Sequence, residues 1–70
     1  MNTLKLIRIE KGFSQYELAM ASGVPRYVIQ LAETAIRLPS SEHQQALAEA
    51  LGVDIAELRL RDLLDMGASK

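Results

Sequence analysis

Residues 14 to 33, Ser-Gln-Tyr-Glu-Leu-Ala-Met-Ala-Ser-Gly-Val-Pro-Arg-Tyr-Val-Ile-Gln-Leu-Ala-Glu, constrain this chain more than any other stretch. They read as two short helices bent about Ser22-Gly23-Val24. Ser14 is a good N-cap, since its hydroxyl accepts from an unpaired amide of the first turn, and Glu17 three places on completes a capping box. Phe13 before the cap and Leu18 after the first turn form a hydrophobic staple. Leu18, Ala19 and Ser22 belong to a first helix of about two turns. Gly23 then supplies the positive φ that a tight turn between crossed helices commonly requires. Pro25 is expected at the first helical position of the second helix, where its fixed φ fits and its missing N–H costs nothing.

The flanks read as support for this unit. Residues 3 to 11 place Leu4, Ile7 and the aliphatic stem of Lys11 on one stripe with Arg8 beside it, and Gly12 ends that helix. Thr34 to Pro39 is a loop. Ser40 or Ser41 caps a fourth helix, whose Ala46, Leu47, Ala50 and Leu51 form an apolar face before Gly52 stops it. Asp54, with Glu57 as box partner and Val53 and Leu58 as a staple, opens a fifth helix. That helix either continues to about residue 66 or breaks at the Leu-Arg-Leu-Arg alternation of 58 to 61 into a short extended arm. The expectation is an all-α, compact five-helix bundle, one domain over residues 1 to 66, with 67 to 70 as a frayed tail.

Size and composition narrow the function. Seventy residues make one core, and at this size only ~60% of the unfolded chain's surface is buried on folding. No cysteine is present, so neither disulfides nor thiolate metal sites staple the fold, and a reducing compartment is expected. Close helix packing or dimerisation must stabilise it instead. No apolar run reaches membrane-spanning length, and Met1-Asn2-Thr3-Leu4-Lys5 lacks the pattern of a signal peptide, so the chain reads as soluble and cytoplasmic. The net charge of −1 conceals an asymmetry. Residues 1 to 39 hold five basic against three acidic side chains, and residues 40 to 70 hold three against six. The half with the two-helix unit is the one able to face phosphates.

The order of Ile7-Arg8, Gly12-Phe13-Ser14-Gln15, Glu17-Leu18-Ala19, Ser22-Gly23-Val24, Ile29, Glu33, Arg37, Pro39, Leu47-Ala48, Leu51-Gly52-Val53 and Glu57-Leu58 resembles the phage repressor and Cro type of helix-turn-helix, also called the xenobiotic-response-element type. The likeness runs over about residues 4 to 58. It implies a lambda-repressor-like DNA-binding domain, bacterial or phage-encoded, with operator DNA as ligand and usually a dimer. Carried over residue by residue, it puts Gln15 at a backbone phosphate and Arg26, Tyr27 and Leu31 among the readers of the major groove, with Gln30 on the same outer face. It also implies an ion pair between Arg8 and Glu33 that ties the first helix to the recognition helix. Lys5, Lys11 and Arg37 join Gln15 as candidate phosphate contacts.

The chain departs from the family pattern in three places. Pro25 replaces the hydroxyl residue at the start of the recognition helix. Ala35 stands where the family most often has glycine, which strains a left-handed residue if the turn is kept. Tyr27, Val28 and Leu31 make the outer face unusually apolar, leaving Arg26 as its only charged reader. Two apolar stripes are therefore available for burial, Ile29 with Ala32 or Val28 with Leu31, and the alignment of Arg8 with Glu33 favours the first.

An enzyme is not expected. A lone histidine, no cysteine, no phosphate loop after a strand and no paired carboxylates leave the roles of nucleophile, base and oxyanion donor unfilled. His43 has no second histidine or cysteine to share a metal, and no cofactor is implied. The expected partners are double-stranded DNA with a palindromic operator and a second copy of the chain, with Leu60, Leu63, Leu64 and Met66 as the dimer seam. The rival reading is a protein-binding module, anti-repressor or antitoxin-like, that offers its apolar recognition face or its C-terminal helix to another protein.

Overall fold

A computed structural model describes residues 2–58. Four α-helices follow one another, α1 (Thr3–Glu10), α2 (Gln15–Ser22), α3 (Arg26–Glu33) and α4 (Ser41–Leu51), and a single 3-10 turn, Ile55–Leu58, comes after them. Each helix is short and starts on a local signal. Ser14 and Glu17 form the full capping box of α2, with Glu17 N–H to Ser14 Oγ at 3.0 Å and Ser14 N–H to Glu17 Oε1 at 2.9 Å. Ser40, rather than Ser41, caps α4 by accepting from His43 N–H. Asn2 caps α1, a role the sequence reading did not assign.

The all-α class holds, and the helix count changes. The fifth element opens as a 3-10 turn because its box is half made. Glu57 Oε2 accepts from Asp54 N–H at 3.1 Å, while Glu57 N–H bonds the Asp54 carbonyl at 2.9 Å. That tighter i→i+3 winding carries Leu58 into the core. The continuation of helix 5 to residue 66, and the tail at 67 to 70, lie outside the described residues. Pro25 is also displaced by one place. With φ −57° and ψ 141° it is the N-cap of α3, and Arg26 is the first helical residue.

The core is one cluster: Leu4 from α1, Leu18 from α2, Val24 from the turn, Ile29 and Ala32 from α3, Leu47, Ala48 and Leu51 from α4, and Leu58. Phe13, the staple residue, packs against it. Helix α2 packs on α3 and α4, α1 on α3 and the 3-10 turn, and α4 on the 3-10 turn. On α1 the inward stripe is Leu4 and Arg8, with Ile7 half-buried beside them. Lys11, expected on that stripe, is instead the exposed C-cap. Gly23 has φ +78° and closes α2 with its N–H on the Ala19 carbonyl, which turns the chain into α3 within three residues.

Candidate nucleic-acid interface

Helix α3 is sharply two-sided. Ile29, Ala32 and Glu33 are buried, whereas Arg26, Tyr27 and Gln30 are exposed and Leu31 is half-buried. Of the two apolar stripes the sequence offered, the core takes Ile29 with Ala32. Val28 lies at its edge, half-buried against the cluster.

What fixes this rotation is a polar clamp at the end of α3. Arg8 grips the Glu33 carboxylate with both edges of its fork, Nε to Oε2 at 2.6 Å and Nη2 to Oε1 at 3.1 Å. Its third nitrogen, Nη1, donates to the Phe13 carbonyl at 2.7 Å. The pair is desolvated, with the Arg8 side chain 9% and the Glu33 side chain 2% exposed. The ion pair expected from the resemblance is thus present in its bidentate form. Gln15 Nε2 adds a further bond to Glu33 Oε1 at 3.0 Å. This amide was expected to reach a phosphate. One hydrogen of its N–H₂ group is committed inward, and the other remains to donate. Asn2 completes the clamp. Its Oδ1 accepts from Lys5 N–H at 3.0 Å while its Nδ2 donates to the Ala32 carbonyl at 2.7 Å, so one side chain joins the start of α1 to the last turn of α3. An asparagine immediately before a helix is itself a capping signal, and that signal was available in the sequence.

The last turn of α3 closes as a Schellman motif. Ile36 N–H bonds the Leu31 carbonyl at 2.9 Å, Ala35 N–H bonds the Ala32 carbonyl at 3.2 Å, and Ala35 sits at φ +61°. The left-handed turn anticipated after Glu33 is kept, with alanine in the place that glycine suits.

Beside α3 the chain leaves a notch lined by Tyr27, Val28 and Leu31 from the helix, Arg37, Leu38 and Pro39 from the loop, and Ser40 and His43 from the start of α4. Among the described residues no carboxylate lines it. Arg37 is therefore brought next to the outer face of α3. Neither Lys5, on α1, nor Lys11, the C-cap of that helix, lines the notch, and the two are six residues or about 240° of helix rotation apart. Leu60, Leu63, Leu64 and Met66 lie outside the described residues. Among the described residues no three His, Cys, Asp or Glu side chains are grouped to hold a metal ion, and no helix is long and apolar enough to cross a membrane.

The whole arrangement, a capped α2, a glycine turn, and an α3 pinned to α1 with its outer face bare, coincides with the span of one family model, helix-turn-helix, which matches residues 4–58. This chain belongs to the Cro/C1-type helix-turn-helix family. It is a helix-turn-helix domain of the kind found in DNA-binding transcription regulators, a family that is not typically enzymatic. No curated protein and no solved structure matched it. In helix-turn-helix terms α2 is the first helix of the unit and α3 the second, and the Arg8–Glu33 clamp ties that second helix to α1.

Proposed function

We propose that this domain is a small repressor/Cro-like transcriptional regulator that binds double-stranded DNA sequence-specifically, with α3 lying in the major groove. The observation that carries the reading is the division of α3. Its inner side is locked by Ile29, Ala32 and the Glu33 clamp, and its outer side leaves Arg26, Tyr27 and Gln30 free at the N-terminal end, which recognition helices turn toward base edges. Arg26 reads a guanine through its planar fork, and Gln30 has the amide that suits an adenine. Tyr27 and Leu31 supply apolar contact. Arg37, Lys5, Lys11 and the remaining N–H of the Gln15 amide serve the sugar-phosphate backbone.

The working unit in this proposal is a homodimer with Leu60, Leu63, Leu64 and Met66 as its seam, acting on a palindromic operator in a bacterial or phage-infected cytoplasm without a cofactor. A single module with one charged reader makes a small interface, and doubling it is the usual route to operator affinity.

The test is selection from randomised duplexes followed by binding of the winning site. Arg26→Ala is expected to cost ~1 to 3 kcal/mol and to relax preference at one base pair. Equal weakening on all duplexes makes Arg26 a phosphate contact instead. Failure to select any duplex, together with a salt-independent interaction with a protein, supports the protein-binding module, since only phosphate neutralisation gives a steep salt slope.

A further inference from the structure

On its exposed side α3 carries two parallel ridges, because residues four apart on a helix stand one above the other. Arg26 and Gln30 make a polar ridge. Tyr27 and Leu31 make an apolar one, and it borders a notch of about 360 Å³ whose apolar lining is completed by Val28, Leu38 and Pro39, with Arg37, Ser40 and His43 as its polar members. The two ridges begin at adjacent residues, so they address neighbouring positions along a groove. We infer that the apolar ridge and its notch seat the 5-methyl group of a thymine, one base step from the guanine that pairs with Arg26. This rests on the reading above, that α3 enters the major groove.

The chemistry of the groove singles out this occupant. Apart from bare ring C–H positions, the major-groove base edges carry hydrogen-bond donors and acceptors, and the thymine methyl is the one apolar group that projects from them in unmodified DNA. A donor or acceptor pressed against Tyr27, Val28 and Leu31 would lose its water without gaining a partner, which is costly. A methyl group loses nothing and is covered. A cytosine at the same place presents only its C5–H where the methyl would stand, so the contact with the ridge is lost. The seat is also preformed. Leu31 and Leu38 are half-buried, Pro39 is buried, and Val28 packs against the core, so little ordering remains to be done on binding.

The test removes the methyl and leaves the protein untouched. In the selected duplex each thymine is replaced in turn by deoxyuridine, which lacks only the 5-methyl group, and affinity is measured at fixed salt. The expected result is a loss of roughly fourfold at one thymine per half-site, adjacent to the Arg26 guanine, and none elsewhere. Tyr27, 66% exposed, is replaceable without cost to the fold, and Tyr27→Ser is expected to bind the thymine and uracil duplexes equally. Leu31→Ala should do the same. Equal affinity of wild type for every uracil-substituted duplex overturns the inference while leaving groove binding intact, as does a Tyr27→Ser protein that still discriminates fully. No preference for the selected duplex over a scrambled one overturns the underlying reading itself.

Discussion

Removing one member of the Arg8–Glu33 pair tests the part of the structure on which the presentation of α3 depends. Arg8→Met keeps most of the side-chain volume and deletes the charge. Glu33, with its side chain 2% exposed, is then left, among the described residues, with the Gln15 amide as its only side-chain donor, and the Phe13 carbonyl loses the Arg8 bond as well. Breaking a buried pair from one side costs about 3 to 5 kcal/mol, against about 0 to 1 for an exposed pair. A domain of this size has a total stability toward the low end of 5 to 15 kcal/mol, so Arg8→Met is expected to be partly unfolded at room temperature.

The double variant Arg8→Met/Glu33→Leu removes both charges together. It should recover most of the loss, because replacing a buried pair by apolar side chains is often neutral or stabilising. Urea melts of wild type, Arg8→Met, Glu33→Leu and the double variant, followed by circular dichroism near the temperature of maximum stability and at one protein concentration, give the four free energies of the cycle. A coupling energy of roughly 3 kcal/mol or more is expected. Single variants that each lose under about 1 kcal/mol would mean that water reaches the pair in solution. A double variant that loses the sum of the singles would mean that the two residues act independently. Either result refutes the reasoning.

Ala35→Gly should stabilise the domain. The left-handed φ of +61° costs an L-residue about 1 to 2 kcal/mol, glycine gives back ~0.4 to 1 in the unfolded chain, and the exposed methyl packs on nothing, so the melting temperature should rise by about 2 to 8 °C; a fall would show that Ala35 is not left-handed in solution. Ser14→Ala removes half of the α2 capping box and should cost about 1 kcal/mol by the same melts, and no loss would mean that the box does not form. Neutralising Arg37, Lys5 or Lys11 should each flatten the salt dependence of duplex binding by about one unit without changing the preferred sequence, and an unchanged slope clears that residue of a phosphate role. Charged residues in place of Leu63 and Leu64 should give a folded monomer by sedimentation with weak, unspecific binding, whereas an unfolded double variant would assign both leucines to the protomer's own core.

Most of the architecture was legible because its signals are local. Ser14 with Glu17, Gly23 and Gly52 each specify a helix end within three or four residues and are found where the sequence puts them, and of the two serines offered for the start of α4 the cap is Ser40. Pro25 was misplaced by one position because a φ near −60° satisfies both an N-cap and a first helical residue; what separates them is ψ, at 141°, which no residue type announces. Asn2 and Gln15 were harder for a different reason. Asn2 was visible as a cap, but its bond to the Ala32 carbonyl spans thirty residues, and Gln15 reaches eighteen residues to Glu33, so neither destination lies in any local window.

The choice of buried stripe on α3 shows how such long-range contacts decide what local pattern leaves open. Periodicity treats Ile29 with Ala32 and Val28 with Leu31 almost alike. Glu33 breaks the tie, because a carboxylate held by Arg8, with Gln15 added to the grip, and an Ala32 carbonyl held by Asn2 admit only one rotation of the helix about its axis. The identity of the outward face is therefore set by residues that never reach it. It follows that Arg26, Tyr27, Gln30 and Leu31 are free to change their ligand without changing the fold, since none of the clamp's bonds passes through their side chains. In the proposed role, what they recognise is set by the chemistry of that face alone: one planar cation, one amide, and an apolar ridge beside a notch that no carboxylate lines among the described residues.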